Sequence, residues 1–129
     1  MSNLVDNGAT TEVFNAELRV GEGVRFRGIE PEMSIVFQEV PKAFFRHGHD
    51  CWVTSVCRDD SNSLHGYGYA ADFDSSTHIP EEVGHKIAEE VGLNLSYEYQ
   101  PIWHKIRDGA FHLHVEFDYN GKGVRNYKR

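Results

Sequence analysis

The stretch "FHLHVEFD", residues 111–118, constrains the fold more than any other part of the chain. Its residues alternate in character. On a strand, successive side chains point to opposite faces, so Phe111, Leu113, Val115 and Phe117 share one face and His112, His114 and Glu116 share the other. The apolar set faces a core. The polar set places three metal-competent groups side by side on an otherwise apolar strand. Taken alone, it also fits the wet face of a half-exposed sheet.

The neighbouring segments supply the other elements. "CWVTSVC" (51–57) is β-branched and alternating, and "YAADF" (69–73) and "LSYEYQPIW" (95–103) read as further strands. The "HKIRDG" turn (104–109) predicts that the last two strands are adjacent and antiparallel. "GVRFRGI" (23–29) alternates loosely and reads as a short strand. In "PEMSIVFQEVPKAFFRHG" (31–48), Met33, Val36, Phe37, Val40 and Phe44 recur at helical spacing; Pro31 suits the first turn and Gly48 the stop. Pro41 is expected to kink or split that helix. "PEEVGHKIAEEVG" (80–92) predicts a second helix, opened by Pro80, closed by Gly92 and buried along Val83, Ile87 and Val91. The expected class is α+β: a small, mainly antiparallel sheet with about two helices on one side.

A chain of 129 residues with 40% hydrophobic and 26% charged residues fits one globular domain that needs no disulfide staples. Residues 1–20 are expected to form a loose arm or an edge element, 21–118 the domain, and 119–129 a basic tail carrying Lys122, Arg125, Lys128 and Arg129. A formal charge of −7 argues against nucleic acid as a partner. The N-terminus has no basic, apolar leader and no segment is long enough to cross a membrane, which predicts a cytoplasmic product of the producing cell. On one strand Cys51 and Cys57 would lie roughly 20 Å apart at about 3.3 Å per residue, too far for a disulfide, so both read as buried thiols.

The chemistry concentrates at two places. In "SNSLHGYGYAADF" (61–73), Gly66 and Gly68 permit a tight loop and close backbone approach to a ligand. Asp72 shares a face with Ala70, away from Tyr69, Ala71 and Phe73. If that face meets the polar side of 111–117, then His65, Asp72 and one of His112 or His114 converge. Two histidines and one carboxylate leave a zinc ion an open fourth position, the composition of a catalytic site. The spare histidine could then act as general base or oxyanion stabiliser. A cupin-like or carbonic-anhydrase-like site, with both His112 and His114 on the metal, would leave the 63–72 pattern unexplained. His47 and His49 are read as helix-end residues and His78 and His85 as exposed; none is assigned to a metal.

The pattern Ser63-x-His65-x-x-Gly68-x-Ala70-x-Asp72, followed by His112-x-His114, resembles the zinc peptidases grouped as lysostaphin, D-alanyl-D-alanine metallopeptidase and hedgehog domains. The first motif matches at all five named positions, and "VTSVCRDD" (53–60) extends the likeness; it spans roughly residues 30–118 and is nearest to short bacteriophage-encoded forms. The resemblance implies one Zn2+ per chain held by His65, Asp72 and His114. It implies His112 as the catalytic partner, with Arg58 and Ser63 contacting substrate, arginine suiting a terminal carboxylate by its bidentate geometry. The implied reaction is hydrolysis of a peptide bond in cell-wall peptidoglycan peptides, by a carboxypeptidase or endopeptidase. One departure stands out: where the D-alanyl-D-alanine branch carries a glutamate base three residues before the last ligand, this chain has Phe111. Glu98, His104 and Glu116 are the other nearby groups, Glu116 as a residue that orients a ligand. The alternative is a zinc-bearing module without catalysis, binding a virion or other partner.

Overall fold

A computed structural model of the chain describes residues 16–56, 68–106 and 109–118. Five strands form one sheet: β1 (Leu18–Val20), β2 (Cys51–Ser55), β3 (Ala70–Asp74), β4 (Tyr99–Lys105) and β5 (Phe111–Phe117). Their spatial order is β1-β2-β3-β5-β4. Only the β1–β2 pair is parallel; β2–β3, β3–β5 and β4–β5 are antiparallel. Two helices, α1 (Ser34–Arg46) and α2 (Glu81–Asn94), complete the α+β architecture.

Period-two patterning decides which sheet face the helices cover. Ala71 and Phe73 of β3 lie opposite Val115 and Leu113 of β5, and all four are fully buried. They join one core with Val36, Val40 and Phe44 of α1 and with Ile87 and Val91 of α2. Each such side chain contributes roughly 1.5–3 kcal/mol on burial. The stripes expected from helical spacing are therefore the ones that pack, with Phe37 and Val83 partly buried at their margins.

Several boundaries differ from expectation. The helix begins as a 3-10 turn at Pro31–Met33 and then runs unbroken through Pro41, so it is not split there. The Pro41 ring is buried among the apolar residues of that stripe, which offsets the backbone bond it cannot make. The stop at Gly48 holds: its φ is +83°, a conformation that favours glycine. Helix α2 passes Gly92 and ends at Asn94, with Leu95 extended. Residues 23–29 are not a strand. Turns at Val24 and Ile29 interrupt them, while Phe26 still packs on Phe37 with ring centroids 5.4 Å apart. The edge strand lies earlier, at Leu18–Val20, inside the stretch expected as an arm or edge element.

Asp50 ties the start of β2 to the loop after β3. It accepts hydrogen bonds from the Ser75 hydroxyl (2.5 Å), the Ser76 amide (2.8 Å), the Ser76 hydroxyl (2.6 Å) and the Trp52 indole (3.1 Å). The serine hydroxyls hold its carboxyl well below the usual carboxylate range. Burial, then the charges of Asp50 and Asp74, push the Cys51 thiol up, so it is an inert buried thiol. Cys57 lies outside the described residues. No helix among the described residues is long and apolar enough to cross a membrane.

Candidate metal centre

The antiparallel register of β3 and β5 places Asp72 directly opposite His114 and Ala70 opposite Glu116. On the other side of β5, Ile102 of β4 lies opposite His114 and His104 lies opposite His112. Directly opposite residues hold their Cβ atoms about 4.5–5.5 Å apart, close enough for short polar side chains to meet. A register irregularity between Val53 and Ser55 brings Ser55 opposite Asp72. Such bulges re-aim side chains locally. Thr54 donates its hydroxyl to the Asp72 carbonyl at 3.3 Å.

The side chains meet as the register requires. His114 Nδ1 lies 2.7 Å from Asp72 Oδ1, and His114 Nε2 lies 2.8 Å from Glu116 Oε1. His112 Nε2 lies 3.6 Å from the same Asp72 oxygen. His104 Nε2 approaches His112 Nε2 at 2.9 Å. The row therefore runs Glu116, His114, Asp72, His112, His104 across one face of two strands and a neighbour.

The Asp72–Glu116 part of this face is not a wet sheet surface, whereas His104 at its other end is exposed. Asp72 is 4% exposed, His114 8% and Glu116 1%. Burying charge at that depth is costly unless the groups pair, and these do. Burial works against a charged His114, but hydrogen bonds and negative charges from Asp72 and Glu116 outweigh it, and the ring titrates above its ordinary 6.5. Each ring nitrogen shares a proton with one carboxylate oxygen.

Those contacts test whether a metal suits the residues. A cation facing Asp72 would replace the Nδ1 proton of His114 and bind both Asp72 and that nitrogen. The ring would then keep one proton, on Nε2, donated to Glu116. A carboxylate behind a metal-bound imidazole fixes its tautomer and orientation, so Asp72 and His114 are two donors of a kind that suits a metal. Two of the three expected ligands, Asp72 and His114, are thus brought together. His65, Arg58, Ser63 and Gly66 lie outside the described residues. Among the described residues, no three His, Cys, Asp or Glu side chains meet in a way that could hold a metal ion.

Three further expectations can be placed. Gly68 has φ +80°, and a Cβ there would stand 2.2 Å from the Gly28 carbonyl oxygen; among the described residues its close approach is to backbone. Phe111 turns to the helix-covered face, its ring stacked on Trp103 at 6.2 Å and 13°. A carboxylate at position 111 in this register would point away from Asp72. Glu98 precedes β4 and its backbone carbonyl accepts from Asp118 N at 2.7 Å. Of the remaining histidines, His47 lies at the end of α1 with Nε2 3.1 Å from Glu90, and His49 Nδ1 is 2.8 Å from the Thr77 hydroxyl. His78 and His85 are exposed.

His104 is the residue whose involvement the sequence understates. Its position opposite His112 depends on the β4–β5 register, and the only signal for that register is the length of the connecting turn. A cavity of about 460 Å³ lies at the same end of the sheet, lined among others by Asp74, Ser76, His78, Trp103 and Phe111. No protein-family model, curated protein or solved structure matches the chain.

Proposed function

We propose that the chain is a zinc-dependent peptidase acting on peptide bonds of bacterial peptidoglycan, as a carboxypeptidase or an endopeptidase. The observation that carries this reading is the buried Asp72–His114–Glu116 row, a carboxylate and an imidazole poised as ligands with a second carboxylate orienting the ring. Zinc held by His65, Asp72 and His114 would polarise the scissile carbonyl and acidify a water. The small, mainly antiparallel sheet with two helices agrees with the hedgehog and D-alanyl-D-alanine peptidase layout that the sequence resembles.

The chain's own residues carry the other roles. His112, whose Nε2 lies 3.6 Å from Asp72 Oδ1, would take the proton from the attacking water and pass it to the leaving amine. With Phe111 facing the opposite side, His112 takes the part that a glutamate plays in the D-alanyl-D-alanine branch. Arg58 and Ser63 would hold the substrate's carboxylate and peptide groups.

The test combines metal analysis with digestion of purified peptidoglycan, its fragments read by mass spectrometry. One zinc per chain and new amine and carboxylate ends are expected. Asp72→Asn and His114→Ala should lose the metal, whereas His112→Ala should keep it and lose hydrolysis. Full turnover in His112→Ala would remove that residue from the mechanism. A wild-type chain that binds zinc but releases no fragments across pH and zinc concentration would be the non-catalytic module.

A further inference from the structure

We propose that His104 and His112 form a second transition-metal site, separate from the Asp72–His114 pair and suited to Cu2+ or Ni2+. The two residues lie directly opposite each other on β4 and β5. Their Nε2 atoms are 2.9 Å apart and their ring centroids 4.8 Å apart. At that distance one ring donates a proton to the other, and a metal ion can replace the shared proton with bonds to both nitrogens.

The spacing suits a metal that binds two imidazoles side by side. At bond lengths of about 2.0–2.1 Å, two imidazole nitrogens stand about 3.3 Å apart on a tetrahedral ion and about 2.9 Å apart in neighbouring positions of a tetragonal one. The observed 2.9 Å, the length of the hydrogen bond between the two rings, lies near the tetragonal spacing, so such an ion can enter with little movement of either ring. Cu2+ and Ni2+ take that geometry with nitrogen and oxygen ligands, and Cu2+ stands highest in the ordinary affinity order.

The surroundings leave room for the ion's other ligands. His104 is exposed and the His112 side chain is 15% exposed, so an ion can enter from solvent and keep water as its other ligands. Asp72 Oδ1, 3.6 Å from His112 Nε2, adds negative charge beside the pair. The site takes no ligand from His65 or His114, and it stands independently of the zinc reading. One consequence does rest on that reading: an ion here occupies the nitrogen assigned to proton transfer, so excess Cu2+ or Ni2+ would slow hydrolysis.

The test is a Cu2+ titration of the metal-free full-length chain, followed by electron paramagnetic resonance and by metal content after gel filtration. Wild type should hold one more Cu2+ than the His104 variants, and that equivalent should show the splitting of two imidazole nitrogens. His104→Ala and the size-conserving His104→Gln should lose that equivalent, whereas His114→Ala should retain it. Both His104 substitutions are at an exposed position, and matched circular dichroism checks their fold. Cu2+ bound by wild type and the His104 variants alike, or no two-nitrogen signal in wild type, would overturn the proposal. If the zinc reading alone fails, zinc content will be insensitive to Asp72→Asn while the His104-dependent Cu2+ signal persists.

Discussion

Gly84 of α2 sits against the indole of Trp103, and this contact makes a sharp prediction. A Cβ built at Gly84 would lie 2.0 Å from Trp103 Cε2 and 2.3 Å from Cδ2 and Nε1. Ordinary contact begins near 3.4 Å, so the ring or the helix must yield by about 1.4 Å. Neither has space. Trp103 is 4% exposed, pairs with Leu113 and stacks on Phe111. Overpacking of a well-filled core costs about 1–3 kcal/mol, and an overlap this large belongs at the upper end. Replacing a helical glycine by alanine returns about 1 kcal/mol. Gly84→Ala should therefore destabilise by about 2 kcal/mol. Gly92→Ala, on the same helix, is the control. Its Cβ would meet Pro101 Cγ at 3.5 Å, an ordinary contact, so it should stabilise by up to about 1 kcal/mol. The two variants should differ by about 3 kcal/mol, or about 10 °C in melting temperature for a domain of this size. Urea unfolding monitored by circular dichroism, with calorimetry alongside, reads both quantities. A Gly84→Ala protein as stable as Gly92→Ala would refute the packing of α2 on β4. A Gly84→Ala cost that shrinks in a Trp103→Leu background would locate the clash.

Other predictions follow from single contacts. At the proposed zinc site, Glu116→Gln should weaken zinc binding by about 10–100-fold without removing a ligand, read by competition with a chromogenic chelator; unchanged affinity would remove Glu116 as the group orienting His114. Asp50→Asn should cost about 1–2 kcal/mol near neutral pH by weakening charge-assisted bonds to Ser75 and Ser76. The folded-state pKa of Asp50 lies below its ordinary 3.8, so this contribution is complete above 3.8 and is lost as pH falls through the folded value. Melting temperatures of wild type and variant should therefore converge in acid, and a gap that widens there would contradict the assignment. Gly68→Ala combines a positive φ with a Cβ 2.2 Å from the Gly28 carbonyl oxygen, and should destabilise by more than about 1 kcal/mol in the same unfolding assay.

Much of the site was legible locally. Alternation alone separates Leu113, Val115 and Phe117 from His112, His114 and Glu116, because the strand period is a property of the backbone. The same parity puts Asp72 on the face opposite Phe73. Helical spacing likewise identifies Val36, Val40, Phe44, Ile87 and Val91 as core positions. Less local features were harder to read. Pro41 looks like a break, yet its buried ring lets the helix continue. Val24, Phe26 and Ile29 pack as a strand's residues would, but turns carry them there.

Local patterning alone fixes the α+β class, the two helical stripes and the side of each strand that carries the polar groups. These depend on backbone periods of 2 and about 3.6 residues, which any segment expresses without its neighbours. Tertiary structure alone decided that Asp72 lies opposite His114, that Glu116 stands behind that ring and that His104 meets His112. Strand order and register join residues far apart in the chain, and a shift of one residue would turn every polar group to the other face. Burial of the polar face was decided at the same level. Its buried groups are therefore bonded to one another, whereas alternation alone also allows a wet sheet surface.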